Sequence, residues 1–202
     1  MQRWISAFTL TLMLAGVSMA QTPPPNPIDR VVEAGLMSRM STGDFNESAF
    51  LSRAELANIL VRTFQLSDRN PPQANSIQVN DVPSNHWAYN DIQTVLRTGV
   101  MSGYREGRFF PEQRVTRAEA FSIFAQAYGI FQFPDQTIAE ILSQYPDAPQ
   151  VPSWAQKSMA TSLYEGFVNV DAGNRINPTL PMTRGDIAFA LSRYLDRLQQ
   201  PR

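Results

Sequence analysis

The sequence predicts a mostly α-helical protein, made of three helix-loop-helix repeats that form a pseudo-threefold, trimer-like bundle. The first observation is a segment that occurs three times, starting at Gly35, at Gly99 sixty-four residues later, and at Gly166 after a further sixty-seven. The second is that apolar residues at helical spacing stand on both sides of each copy. A two-helix unit cannot bury both faces alone, so three copies are expected to enclose a common centre rather than to form a linear stack.

A short helix is expected before each copy of the segment. Pro27 suits the first position of the first helix, because its missing N–H would have no partner there. Each helix then meets a glycine, which is the usual residue after a helix C-terminus. The predicted helices run from 27 towards 34, from 91 to 98 and from 158 to 165.

A second, capped helix is expected at the end of each copy. Here a hydroxyl residue precedes an arginine, and an acidic residue follows two positions later, which is the pattern of a capping box. The three sets are Ser52-Arg53-Ala54-Glu55, Thr116-Arg117-Ala118-Glu119 and Thr183-Arg184-Gly185-Asp186. The third set places the shorter Asp where the other two have Glu.

The remaining chain divides around these repeats. Arg3, an apolar stretch and small residues before position 21 predict an export signal over residues 1–20, and hence an exported protein. A proline-rich arm follows over 21–26. The repeats are expected at 27–66, 79–130 and 145–196, with a surface linker at 67–76 and one short extra helix within 131–144. No apolar stretch after the signal is long enough for a transmembrane segment.

Composition argues against several functional classes. The chain has no cysteine, which excludes disulfides and thiolate catalysis, and its formal net charge of −1 suggests neither a nucleic-acid partner nor an anionic membrane surface. His86 is the only histidine, and HExxH, P-loop and GxSxG motifs are absent. We therefore expect a protein without catalysis, metal or cofactor.

The middle repeat resembles an S-layer homology module over its whole length, from Val79 to Gly129. It has V-x-D-V, H-W-A, S-G-Y, F-x-P and T-R-A-E in that order. The third repeat is a weaker copy with Val170 at the position of Gly103, and the first is degenerate, with Arg39 there. The resemblance implies non-covalent attachment to the cell envelope, through grooves that bind secondary cell-wall polysaccharide, often by a pyruvate ketal, or peptidoglycan.

The same resemblance implies which residues line or shape the grooves. They are the arginines of the three capping segments and six residues of the second and third repeats: Arg53, Arg117 and Arg184, with Asp81, Asp147, Trp87, Trp154, Gly103 and Tyr104. The residues themselves support an anion site at each arginine. An arginine at the first position of a helix lies beside unpaired backbone N–H groups and the positive end of the helix dipole.

A structural interpretation of these residues stays open at this point. Each arginine could instead pair with an aspartate of the segment that precedes the front helix, Asp81 or Asp147, and hold neighbouring repeats together. The two tryptophans would then be core residues, and Gly103 would serve a turn with positive φ. At the level of function, the corresponding alternative is a scaffold module that binds an envelope protein and whose glycan grooves have decayed.

Overall fold

The computed structural model describes residues 26–69 and 77–200, so the predicted signal and nearly all of the proline-rich arm lie outside the described residues. Within these ranges the protein is mostly helical, as the sequence predicts, and β structure is limited to isolated bridges. The helices are α1 (Pro27–Glu33), α2 (Arg53–Phe64), α3 (Tyr89–Arg97), α4 (Arg117–Tyr128), α5 (Asp135–Ser143), α6 (Gln156–Tyr164) and α7 (Arg184–Gln199).

The predicted helix boundaries are found close to their expected positions. Gly35, Gly99 and Gly166, after the front helices α1, α3 and α6, have φ values of 70°, 70° and 74°, a left-handed backbone that glycine adopts without a steric penalty. The rear helices α2, α4 and α7 all begin with a complete capping box, and Asp186 fulfils the role of the glutamate in α7. The extra helix expected within 131–144 is α5, which packs against α6.

Helices of neighbouring repeats pack against each other. The front helix of each repeat packs against the rear helix of the preceding one: α3 against α2, α6 against α4, and α1 against α7. The core is therefore shared, and its aromatic centre joins residues of all three repeats. The Phe124 ring lies 5.2 Å from both Phe64 and Phe167, in edge-on geometry that favours aromatic pairs.

A ring of backbone hydrogen bonds joins the equivalent residues Leu51, Val115 and Met182. Leu51 N–H donates to Met182 O at 2.8 Å, Met182 N–H to Val115 O at 2.8 Å, and Val115 N–H to Leu51 O at 3.2 Å. All three side chains are buried. The contacts thus run from the third repeat back to the first, and the three repeats do not form a linear stack.

No helix in the described ranges combines the length and the apolar character that crossing a bilayer needs.

Candidate functional site: three arginine grooves

The arginine at the start of each rear helix reaches into the next repeat. In every case its Nε and Nη2 atoms donate to two backbone carbonyls of the segment after the glycine turn. The pairs are Arg53 with Phe109 O and Ser102 O, both at 2.8 Å; Arg117 with Ile176 O at 2.7 Å and Asn169 O at 2.5 Å; and Arg184 with Phe45 O at 3.0 Å and Ser38 O at 2.7 Å. The arginines are only 5–8% exposed. They therefore hold neighbouring repeats together.

The alternative in which these arginines pair with Asp81 or Asp147 is wrong for the described residues. Asp81 instead accepts the backbone N–H groups of Phe109 and Phe110, at 2.8 and 2.7 Å. Asp147 does the same with the N–H groups of residues 176 and 177, at 2.9 and 2.7 Å. Both aspartates thus shape a loop of their own repeat, and the loop presents its carbonyl to the arginine. Phe109 shows the link directly, since its N–H binds Asp81 and its carbonyl binds Arg53.

The left-handed backbone at these loops explains why a carboxylate is needed there. Phe110 and Asn177 have φ values of 56° and 54°, and Asn46 has 52° at the equivalent position of the first repeat. Such values are costly for residues with a side chain, most of all for a bulky one. A carboxylate that accepts two adjacent N–H groups offsets this cost in the second and third repeats.

Each arginine also lines a groove, and we name each groove after its arginine. The Arg53 groove has a volume of about 540 Å³ and is lined by the glycine turn of the second repeat, by Glu119 and Ser122 of α4, and by Trp154. The Arg184 groove, of about 240 Å³, has the corresponding turn of the first repeat, residues of α2, and Trp87. The Arg117 groove, of about 410 Å³, is lined by residues of the third repeat and by Phe50.

The two tryptophans are not core residues, so the structural interpretation of them is wrong. Trp87 and Trp154 are each 61% exposed, at the mouths of the Arg184 and Arg53 grooves respectively. Their indole rings give each of these grooves an aromatic wall. Such a wall is suited to the apolar face of a sugar ring.

Gly103 does not adopt the positive φ that the sequence suggested. It is required instead because a Cβ there would lie 3.0 Å from Arg108 O, across a narrow turn in which Tyr104 N–H donates to that same carbonyl at 2.7 Å. Tyr104 is 42% exposed, and the guanidinium carbon of Arg53 lies 4.8 Å from its ring centre. Arg39 and Val170 occupy the equivalent positions of the other two turns.

The three arginines differ in the contacts of their Nη1 atoms. Arg117 Nη1 donates to Asn169 Oδ1 at 3.0 Å and lies 2.8 Å from Asp186 Oδ1, whereas Arg184 Nη1 is 3.8 Å from Glu55 Oε1. Arg53 Nη1 has neither a hydrogen bond nor a carboxylate within 4 Å among residues 26–69 and 77–200. Burial lowers the pKa of Arg53, and the nearby Tyr104, Glu119 and Asp81 oppose this effect.

Ser122 is a groove residue that the sequence reasoning missed. Its Oγ is buried and has no hydrogen-bond partner within the described part of the chain, although it lines the Arg53 groove. Its spacing from Glu119 could have predicted that it lines the same groove. Ser122 follows Glu119 by three residues, and residues at that spacing lie side by side on one face of a helix.

The single histidine has a structural role in this arrangement. His86 Nδ1 accepts the N–H of Ala88 at 3.1 Å, at the start of α3, and its Nε2 lies 3.4 Å from the exposed Glu112. In the described ranges, no group of three or more His, Cys, Asp or Glu residues is placed to hold a metal ion.

Comparison with known proteins connects this geometry to a family. The family model described as the S-layer homology domain matches residues 80–121 and 144–188. The chain is 27% identical, over 85% of its length, to a surface-layer 125 kDa protein of Lysinibacillus sphaericus, and 25% identical over 77% to a cellulosome-anchoring protein of Acetivibrio thermocellus. It is 21% identical over 83% to an endoglucanase of a Bacillus species. It spans only 14%, 34% and 17% of these relatives.

Proposed function

Because this chain carries S-layer homology domains, we propose that it is an exported, non-catalytic module that binds a cell-envelope polymer with carboxylate groups. The proposed ligand is a secondary cell-wall polysaccharide, including one with pyruvate ketals, or peptidoglycan. Two of the relatives described above are named for a surface layer and for anchoring, which supports this assignment. The domain boundaries 27–66, 79–130 and 145–196 belong to the same proposal.

The observation that carries the proposal is the combination of a buried arginine and an exposed tryptophan in one groove. Arg53 is 5% exposed and Trp154 is 61% exposed, yet both line the same cavity. A guanidinium recognises a carboxylate through charge and directed hydrogen bonds, and it does so more strongly where water is excluded. Arg184 and Trp87 repeat the combination in a second groove.

Two sites on one body would also strengthen attachment to a repetitive polymer. Once one groove has bound, the second meets the same chain at a high effective concentration, so weak individual sites give firm attachment.

The absence of catalysis is part of the proposal. His86 is engaged in the start of α3, and the carboxylates of the capping boxes accept backbone N–H groups. A general acid or base would have to leave these contacts before it could transfer a proton.

Co-sedimentation with sacculi of the host tests the proposed function. The protein should pellet with intact sacculi, and acid removal of the secondary polysaccharide should release it. Equal binding to both preparations would assign peptidoglycan as the ligand. Binding to neither would refute envelope-polymer attachment.

A matched pair of variants controls for charge in this experiment. Arg53→Gln should weaken pelleting, whereas Arg105→Gln, which removes an exposed arginine that lines none of the three grooves, should leave it unchanged.

A protein partner in the envelope is the second candidate, and the Arg117 groove favours it. Its arginine is paired, and its rim carries the exposed apolar residues Phe50, Val170 and Leu180. Exposed apolar side chains grouped in this way are typical of a protein interaction site and do not suit a charged glycan. Leu180→Glu would then abolish capture of the partner from envelope extracts without a change in sacculus binding.

A further inference from the structure

A fourth cavity lies outside the three grooves, and we name it the α5 cavity. It is lined by one face of α5, which belongs to the segment between the second and third repeats, and by the loop that leads from α5 into α6. Its volume is about 670 Å³, larger than that of any of the grooves and within the range of small-ligand sites. None of its lining residues lines a groove.

The α5 cavity has a partly apolar lining. Ile138 and Leu142 of α5 are only 9% and 6% exposed, and Tyr145 is half-buried. Pro146 and Pro149 of the following loop add two rigid rings. No exposed aromatic side chain is among the residues that line this cavity, in contrast to the tryptophan grooves. Its surface therefore suits small aliphatic groups better than the face of a sugar ring.

Two opposite charges line the α5 cavity without neutralising each other. Asp135 is the first residue of α5 and Lys157 is the second of α6, and both are exposed. Among residues 26–69 and 77–200, neither has an oppositely charged group within 4 Å. Lys157 Nζ donates to Gln132 Oε1 at 2.5 Å, and an ammonium has two further N–H groups to donate. A ligand that pairs with both side chains carries an ammonium and a carboxylate.

This combination of charges discriminates between classes of ligand. A glycan with carboxylate groups offers only negative charge, and so does a nucleic acid. A short peptide with a free amino group and a free carboxyl group offers both charges. Its backbone also matches the hydroxyls of Ser143 and Ser153 and the amide of Gln156, which line the same cavity. The peptide stems of peptidoglycan are peptides of this kind, and peptidoglycan is one of the two polymers proposed above.

We propose that the α5 cavity binds the peptide stems of peptidoglycan, with Asp135 at an amino group, Lys157 at a carboxylate, and small side chains against Ile138 and Leu142. This inference rests on the proposed function, because it requires contact with the sacculus. It adds a form of recognition that does not involve the arginines. A peptide site and glycan grooves on one chain reinforce each other, since binding at one raises the effective concentration at the other.

Lys157 provides a direct test, because it is the only lysine of the chain. Protein made with isotope-labelled lysine therefore has a single labelled residue in its NMR spectrum. The probe is unlabelled Nα-acetyl-Lys-D-Ala-D-Ala, in which the side-chain amine and the terminal carboxylate are free. Its Nε-acetylated form and its C-terminal amide are the controls.

The Lys157 signals should shift saturably with the probe. Both controls should bind about tenfold more weakly, because each lacks one hydrogen bond between charged groups. No shift with the probe, or equal affinity for the three peptides, would overturn the proposal.

Two substitutions of exposed residues identify the contacts by calorimetry with the same peptides. Asp135→Asn should remove the preference for the probe over the Nε-acetylated form, and Lys157→Gln should remove the preference over the amide. Glu140→Gln is the matched control, because Glu140 is exposed on α5 and does not line the cavity. It should leave all three affinities unchanged. A preference that survives the corresponding substitution would show that the named side chain does not contact the peptide.

Acetylated sacculi test whether peptide stems are the natural source of the ligand. Acetylation blocks free amines and leaves carboxylates intact, so it should weaken pelleting of the parent more than pelleting of Asp135→Asn. Equal weakening of the two proteins would overturn the assignment to peptide stems.

The outcomes separate this inference from the proposed function. If the parent pellets with sacculi but Lys157 does not respond to the probe, the α5 cavity is not a peptide site and the proposed function stands. If the parent does not pellet with untreated sacculi, the proposed function fails, and the assignment to peptide stems fails with it.

Discussion

A single aspartate of the third repeat, Asp147, fixes the conformation of the loop whose Ile176 carbonyl binds Arg117. Asp147 is 6% exposed and accepts two adjacent N–H groups, one of which belongs to the left-handed Asn177. Asp147→Ala should lower the free energy of unfolding by about 1–3 kcal/mol, since it leaves buried donors without acceptors. Urea unfolding measures the change.

Asp44→Ala is the control for this substitution, because Asp44 is exposed and its carboxylate has no partner in the described ranges. It should change the free energy of unfolding by less than about 0.5 kcal/mol. Equal effects of both substitutions would contradict the role of Asp147.

Acid should weaken the ion pair between Arg117 and Asp186 in particular. Burial tends to raise the pKa of Asp186, but Arg117 together with hydrogen bonds from Asn169 and Thr183 holds this pKa below its usual value. A carboxyl group with a lowered pKa in the folded state stabilises the fold above its unfolded pKa of about 3.9, and this contribution is lost as the pH falls towards the lower folded value.

The parent should therefore lose more unfolding free energy than Asp186→Asn between about pH 5 and pH 3. Urea unfolding at these two pH values gives the comparison, and parallel losses in the two proteins would show that Asp186 does not contribute.

At the same scale, three of the residues predicted to bind a ligand lie around one cavity, and their role as ligand contacts stays a prediction. Arg53, Trp154 and Tyr104 do line one cavity. Their partners could not be predicted, because the carbonyls of Ser102 and Phe109 carry no side-chain signature, and only the packing of two repeats brings them to Arg53. The exposure of the tryptophans likewise depends on tertiary packing rather than on residue type.

The rear helices illustrate how a local pattern becomes an element. In α7, Thr183 accepts the N–H of Asp186 at 3.1 Å, and Asp186 accepts that of Thr183 at 2.9 Å. Thr183→Ala should lower the free energy of unfolding by about 1 kcal/mol, because it leaves an N–H at the helix start without an acceptor.

Thr179→Ala is the matched control for this change, since Thr179 is exposed and outside any helix. Thermal unfolding followed by circular dichroism compares the two variants, and an unchanged midpoint for Thr183→Ala would show that the cap does not limit α7.

Helix boundaries were the part of the fold most accessible to prediction. Glycines after the front helices and capping residues before the rear ones act within a few residues, so their meaning does not depend on the rest of the chain. The packing of each front helix against the rear helix of the preceding repeat could not be predicted. It depends on which apolar faces meet, and the apolar faces of the three repeats have similar patterns.

The whole molecule should unfold as one unit, because all repeats share one centre. Leu51 is fully buried beside the ring of hydrogen bonds, and Leu51→Ala should lower the free energy of unfolding by about 2–5 kcal/mol. The unfolding curves of Trp87, in the second repeat, and Trp154, in the third, should nevertheless still coincide.

Versions of Leu51→Ala and of the parent that keep only Trp87 or only Trp154, with the other tryptophans changed to Phe, provide these curves in urea. Two separate transitions in the parent would mean that the repeats are stable independently, against the shared core described above.

Each rear helix contributes residues to two grooves, and this couples the grooves to each other. Helix α2 supplies Arg53 to one groove and Glu55 with Asn58 to another, and α4 and α7 are placed in the same way. A change that shifts one rear helix is therefore expected to alter two grooves at once, so the geometry of one groove cannot be adjusted through these helices without affecting a second.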